Sequence, residues 1–204
     1  MEYDFGITAL GNRFHMDWRH EGPDPAALVR GWAALVAVDE DGREEIRLLG
    51  RDVRLLLDSP LADAEIHALW RTAATYYPVG PGTAHGRAWL TGIERELRPV
   101  GGAVAAGVAP GVDRNEVHAV TRLAHALEQV DELPLEPVPV DAVRNAVIHV
   151  AEKVDDELAF RFLLHAYAAY GTPVPESRYG EFRRISESLG HGAFMLETIG
   201  YLVE

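Results

Sequence analysis

Apolar residues recur along this chain at intervals of three and four positions, which is the period of an amphipathic helix. In "REEIRLLGRDVRLLLDSP", residues 43 to 60, the spacing runs through Ile46, Leu49, Val53, Leu56 and Leu57. It recurs later at Val117, Val120, Ala124, Leu127 and Val130. These spacings predict a mainly α fold, while the first 20 residues leave room for a short strand.

The period is lost in "PVGGAVAAGVAPGVD", residues 99 to 113, where glycine, alanine and proline replace charged residues. Such a composition is typical of a linker. We therefore predict two small helical domains in tandem, residues 1–98 and 113–204, joined by a linker at 99–112. Asp24-Pro25 is expected to start a helix, and Gly171 to end one.

The chain of 204 residues has a formal net charge of −13, and acidic residues are in excess in both halves. A nucleic acid is a poor partner for such a surface, whereas a basic protein would be attracted to it. The sequence has no cysteine, so it has neither disulfides nor thiolate sites. It shows no apolar leader and no run long enough to cross a bilayer, so we expect a cytoplasmic protein without a membrane partner.

The octet "FHMDWRHE", residues 14 to 21, is unusually rich in potential metal ligands. One interpretation is a helical metal-dependent hydrolase that uses His15, Asp17 and His20. However, none of the nine histidines forms an H-x-x-x-H pair, the spacing that places two ligands on one helical turn. We favour no metal site and no cofactor.

Catalysis by a nucleophile is also not indicated, because no serine lies in a G-x-S-x-G elbow. Paired carboxylates occur in the runs "DEDGREE", "EQVDELPLEP" and "EKVDDE". We interpret these runs as solvent-exposed faces or as contact surfaces for a basic protein. The prediction is therefore that the protein is not an enzyme.

The first half of the chain resembles a family of contact-dependent growth inhibition immunity proteins. "FHMDW" is similar to the F-H-x-D-W signature of that family, and the pairs Tyr76-Tyr77 and Trp89-Leu90 and the helix "IERELR" follow in the family's order. The resemblance covers about residues 3 to 98. Arg19 departs from the pattern, since the family more often has an acidic residue there.

The second half resembles another family, the immunity proteins of Maf-type polymorphic toxin systems, over roughly residues 138 to 204. The resemblance is carried by "DDELAFRFLLHAYAAYGTPVPESRYGEFRRISESLGHG". Pro175 stands where a serine-type helix cap is expected. Both resemblances imply a protein that binds a cognate bacterial toxin stoichiometrically, such as a nuclease with a basic cleft. An adaptor for some other protein is a further interpretation.

The residues expected to contact a toxin are a polar pair in the octet and acidic side chains in the runs above. We interpret the octet itself as mainly structural, with Phe14 and Trp18 buried, although its polar pair could line the binding face. The candidates are His15, Asp17, Asp39, Glu40, Asp41, Glu44, Asp131, Glu132, Asp155 and Asp156.

Overall fold

The predicted mainly α fold is confirmed by the computed structural model, which describes residues 2–100 and 114–204. The α-helices of the described residues are α1 (Gly6–Asn12), α2 (Pro25–Val36), α3 (Glu40–Asp58), α4 (Asp63–Ala73), α5 (Gly86–Leu97), α6 (Arg114–His125), α7 (Val140–Lys153), α8 (Asp156–Tyr170), α9 (Glu176–Ser188) and α10 (Glu197–Gly200). Short 3₁₀ turns lie at Trp18–His20, Arg98–Val100 and Ala193–Leu196. The first 20 residues hold α1 and a 3₁₀ turn in place of the short strand that we considered.

Helix ends follow the local chemistry of their caps. The carboxylate of Asp24 accepts a hydrogen bond from Ala27 N at 2.8 Å, with Pro25 in the first helical position, as predicted. Asp39 caps α3 in the same way through Gly42 N at 2.8 Å. Gly171 ends α8 in the left-handed conformation, with φ of 61°, which glycine adopts without a steric penalty.

Helix α8 lies at the centre of the molecule. Its sequence is apolar on nearly all sides, and 12 of its 15 residues are buried. It packs against α7 and α6 from the second half of the chain and against α4 and α1 from the first half. A helix that is apolar all round requires such enclosure, because no face of it is suited to water.

The predicted tandem of two separate domains is not confirmed. The apolar side chains of both halves form one continuous core, in which α4 packs against α7 and α8. The loss of apolar period near residue 100 identifies a connection, but it carries no information on whether the helices on either side share a core. From residue 101 onwards the predicted linker lies outside the described residues, as does Asp113.

Candidate functional site

A groove of 560 Å³ opens between the N-terminal segment, α1, α2 and the first turns of α3. We call it the acidic groove. Its charged lining consists of five carboxylates and one guanidinium, from Glu2, Asp4, Asp41, Glu44, Glu45 and Arg13. Aromatic rings from Tyr3, Phe5 and Trp32 line it as well.

Three carboxylates of the groove, those of Glu2, Asp41 and Glu45, are exposed. No hydrogen bond or ion pair is made by their side chains within residues 2–100 and 114–204. Glu44 pairs with Arg47 on the next turn of the helix. Because positions 41, 44 and 45 are three and four residues apart, α3 presents these carboxylates on one face.

Exposed apolar groups adjoin these carboxylates. Tyr3 stacks on Phe194 with ring centroids 4.8 Å apart and the rings nearly parallel. Leu35 is 70% exposed and lies one helical turn beyond Trp32, and Val38, just past the end of α2, is 77% exposed. A surface that combines large apolar side chains with uncompensated charge is typical of protein contact sites.

A buried ionic cluster contacts the N-terminal residues that line one side of the groove. The guanidinium of Arg161 is fully buried, donating from Nη2 to Asp52 Oδ1 at 3.0 Å and from Nε to Glu157 Oε1 at 2.6 Å. Arg51 joins the cluster by donating to Asp155 Oδ2 at 2.7 Å. Each buried charge thus has an opposite charge beside it, as burial requires.

Burial and ion pairing have opposite effects on the pKa values of this cluster. Burial raises the pKa of Asp52 and of Asp155 in spite of their arginine partners, whereas at Arg161 and Glu157 the partners have the larger effect. Burial alone would lower the pKa of Arg161, but Asp52 and Glu157 raise that pKa well above its usual value. Burial would also raise the pKa of Glu157, yet Arg161 and His191 hold it well below the ordinary range for a glutamate. The Arg161–Glu157 ion pair therefore stays charged at neutral pH.

Two aromatic residues of the octet are structural, as we interpreted. Phe14 and Trp18 are 1% and 3% exposed, and Phe14 lies at the centre of a ring cluster with Trp70, Tyr77 and Trp89. The indole N–H of Trp18 donates to the carbonyl of Tyr76 at 3.0 Å. The "FHMDW" and Tyr-Tyr segments therefore meet in one core.

The polar residues of the octet remain at the surface and do not line the acidic groove, although Glu21 pairs with the groove residue Arg13 at 3.7 Å. His15 Nδ1 accepts the backbone N–H of Asp17 at 3.1 Å, so its Nε2 carries the proton that is donated to Glu21 at 2.9 Å. The carboxylate of Asp17 makes no cap bond to the 3₁₀ turn that follows it. His15, Asp17 and His20 do not gather into a metal-binding group, nor do any other three such side chains in the described part of the chain.

The acidic candidates at the start of α3 have different roles. Asp39 is occupied as the helix cap, and Glu40 pairs with Arg43 and Arg47. Asp41 and Glu44 line the groove. Only part of this run therefore contributes to a contact surface.

The acidic candidates of the second half lie elsewhere. Asp131 and Glu132 are exposed in the loop after α6, where the carbonyl of Tyr170 accepts from the backbone N–H groups of Val130 and Asp131. Neither of these carboxylates lines the groove. They remain candidates for a separate contact.

The expectation that Asp155 and Asp156 project freely into solvent is wrong. Asp155 is 0% exposed and Asp156 is 5% exposed. Asp155 caps α8 by accepting from Leu158 N at 2.7 Å and also pairs with Arg51. The corner between α7 and α8 is packed into the core, so the acidic run "EKVDDE" faces water only at its first two residues and is buried from Val154 to Asp156.

Sequence reasoning overlooked Arg161 and Asp52. Both lie within apolar helical segments, "LAFRFLLHAY" and "LLGRDVRLLL", where a charge must be paired if it is buried. A charged residue inside an apolar helical segment was therefore the signal that sequence analysis could have used. It could not name the partner, because the two residues are 109 positions apart.

Comparison with known proteins gives no relative. No protein-family model matches this chain, and searches of curated proteins and of solved structures also find no match. Within the described residues, no helix has the length and apolar character needed to cross a bilayer. The resemblance to immunity families therefore stays a prediction from the residues quoted above.

Proposed function

We propose that this protein is an immunity protein, which neutralises a cognate bacterial toxin by stoichiometric binding and not by catalysis. The observation that carries the proposal is the acidic groove, where the carboxylates of Glu2, Asp41 and Glu45 lack partners within the described residues beside exposed apolar groups. The two sequence resemblances and the net charge of −13 support the same function.

The groove suits a basic partner for a physical reason. Repulsion among the carboxylates that line it falls when a guanidinium or ammonium group of the partner lies between them. The partner's charge also speeds the encounter through long-range attraction. A toxin that cleaves nucleic acid has a basic substrate cleft, which an acidic surface of this kind would cover.

Apolar contact would provide the lifetime of the complex. Tyr3 and Trp32 offer large side chains beside the carboxylates, and the exposed side chain of Leu35 lies one helical turn from Trp32. Aromatic anchors of this type commonly dominate binding energy. We therefore expect the charged side chains to set mainly the association rate of the complex and the apolar side chains to set mainly its dissociation rate. Asp155 and Asp156 are excluded from the contact because they are buried.

The test is a titration of the toxin encoded by the adjacent gene. The purified protein should bind it, and inhibition of the toxin should be complete at one equivalent. A groove variant with Glu2→Gln, Asp41→Asn and Glu45→Gln should bind at least about tenfold more weakly, since each lost ion pair contributes part of a factor of ten.

A matched control removes three charges elsewhere. Glu152, Glu176 and Glu187 are exposed, and their side chains make no ion pair within residues 2–100 and 114–204. The triple change of these residues to Gln should leave affinity within about twofold of the wild type, because none of them lines the acidic groove and exposed charges are screened. Absence of any binding by the wild-type protein would refute the proposed function.

A further inference from the structure

The N-terminal residues 2–8 form one wall of the acidic groove. We call this segment the strap. It contributes Glu2, Tyr3 and Asp4 to the groove lining, together with Phe5 and Gly6. The position of the strap therefore determines the width of the groove and the direction in which the rings of Tyr3 and Phe5 point.

The strap is fastened to α8, in the second half of the chain. Arg161 Nη1 donates to the carbonyl oxygen of Phe5 at 2.7 Å and to Thr8 Oγ1 at 3.1 Å, and its guanidinium carbon lies 4.2 Å from the centre of the Phe5 ring. One helical turn later, His165 Nε2 donates to Asp4 Oδ2 at 2.9 Å. Two buried side chains of α8 thus hold the main chain and a carboxylate of the strap.

A second fastening comes from α3. Asp52 Oδ2 accepts the backbone N–H of Ile7 at 3.0 Å, while its carboxylate also pairs with Arg161. Gly6 approaches so closely that a Cβ on it would lie 1.9 Å from Asp52 Oδ2. The strap therefore has little freedom to shift while Asp52 and Arg161 remain paired.

These bonds are directional, and most of them are buried. Arg161 and Asp52 are each 0% exposed, and the side chain of His165 is 5% exposed. A hydrogen bond from a charged or carboxylate-bound donor in such surroundings fixes a position more strictly than apolar packing does. These hydrogen bonds therefore fix the position of the strap, which apolar packing alone would not do.

We infer that Arg161 and His165 are positioning residues for partner binding, because they hold Asp4 and Phe5 of the strap in the wall of the acidic groove. This inference rests on the proposed function. On this inference the charged residues of the binding surface come from the first half of the chain, and residues of the second half hold them in position. The protein would then present one composite site for one toxin through this groove.

His165 allows the sharper test, since its side chain bonds to Asp4 and makes no direct hydrogen bond to Arg161, Asp52 or Glu157 within the described residues. His165→Leu removes the donor to Asp4 but keeps an apolar side chain with good helix propensity in α8. His165→Gln keeps an N–H donor at a similar reach and serves as the conservative rescue. His118→Leu, at an exposed position of α6, is the matched control.

Hydrogen exchange on the free full-length protein reports the strap directly. In His165→Leu, exchange of the amides of residues 5–8 should be about tenfold faster, as expected for loss of one hydrogen bond to a charged group. Exchange in α7 should be unchanged, and His165→Gln and His118→Leu should resemble the wild type. Unchanged exchange in His165→Leu would overturn the inference.

Binding to the toxin of the adjacent gene completes the test. His165→Leu should weaken affinity about tenfold, mainly through faster dissociation, because the carboxylates that steer association remain in place. Faster strap exchange with unaltered affinity would overturn the positioning role while leaving the immunity function intact. A wild-type protein that fails to bind the toxin would instead refute the proposed function itself.

Discussion

Arg161 donates to the backbone carbonyl of Phe5 at 2.7 Å, although 156 positions separate the two residues along the chain. The bond joins the central helix α8 to the N-terminal strap. It adds a polar contact between the two halves of the chain to the apolar core that they share. Most of the following predictions concern this junction and the groove in front of it.

Removal of the central cation should strongly destabilise the protein. Arg161→Leu leaves Asp52 fully buried and Glu157 largely buried without their main counter-charge, and the expected loss is about 3–5 kcal/mol of unfolding free energy. Urea denaturation followed by circular dichroism measures it. Asp52→Asn combined with Arg161→Leu should cost less than the sum of the single changes, and strict additivity would show that the two side chains do not interact.

Adding a single methyl group at Gly6 of the strap should also lower the stability of the protein. Gly6 has φ of 65° and faces Asp52 at close range, so Gly6→Ala adds a left-handed strain and a steric clash. We expect a loss of about 2 kcal/mol or more in thermal or urea denaturation. Gly31 in α2 has open space around it, so Gly31→Ala should instead stabilise by about 0.5–1 kcal/mol. Equal effects of the two changes would contradict this description of the strap.

Asp4 should contribute stability that depends on pH. Burial alone would raise the pKa of this carboxyl, but His165 and Arg161 together lower it below its ordinary value. A lowered folded-state pKa means that the contribution is fully present above the unfolded value of about 3.9 and disappears as pH falls through the folded pKa. The difference in unfolding free energy between the wild type and Asp4→Asn should therefore be about 2 kcal/mol near neutral pH and shrink in acid.

The control for this pH dependence is Asp17→Asn, since the carboxylate of Asp17 is exposed and makes no cap bond. Its stability difference from the wild type should be small at every pH. Denaturation curves recorded between about pH 6 and about pH 3 make the comparison. A gap for Asp4→Asn that stays constant over this range would show that the pKa of Asp4 is the same in the folded and the unfolded protein, which would contradict the lowered folded-state pKa.

Substitutions in the octet should reduce stability strongly at its buried positions and very little at its exposed ones. Phe14→Ala opens a cavity among four aromatic rings and should cost about 3–5 kcal/mol. His15→Ala removes an exposed pair with Glu21 and should change stability by no more than about 0.5 kcal/mol. Calorimetric melting of both variants is sufficient. A large loss in His15→Ala would assign the histidine a structural role that its exposure does not suggest.

Local features of the fold could be predicted from the sequence, because they depend on neighbouring residues. The spacing from Ile46 to Leu57 predicted α3, and Asp24-Pro25 predicted the start of α2. Relations over long distances could not be predicted. The packing of α4 on α8 and the pairing of Asp52 with Arg161 depend on the three-dimensional arrangement of helices.

The candidate site was predictable only in part, for the same reason. Asp41 and Glu44 were identified because an acidic turn at a helix start projects from the surface. Asp155 and Asp156 have the same local pattern, but the α7–α8 corner buries them. Glu2, Trp32 and the strap were missed, since only tertiary structure brings them beside α3.

The most direct measurement is the stopped-flow association rate of the protein with the product of the adjacent gene, the proposed toxin, recorded across salt concentrations. The groove variant with Glu2→Gln, Asp41→Asn and Glu45→Gln should associate about tenfold more slowly at low salt and show a flatter salt dependence. The variant with Glu152→Gln, Glu176→Gln and Glu187→Gln carries the same change in net charge and should associate at nearly the wild-type rate. Equal slowing of the two variants would contradict the assignment of the acidic groove as the contact surface.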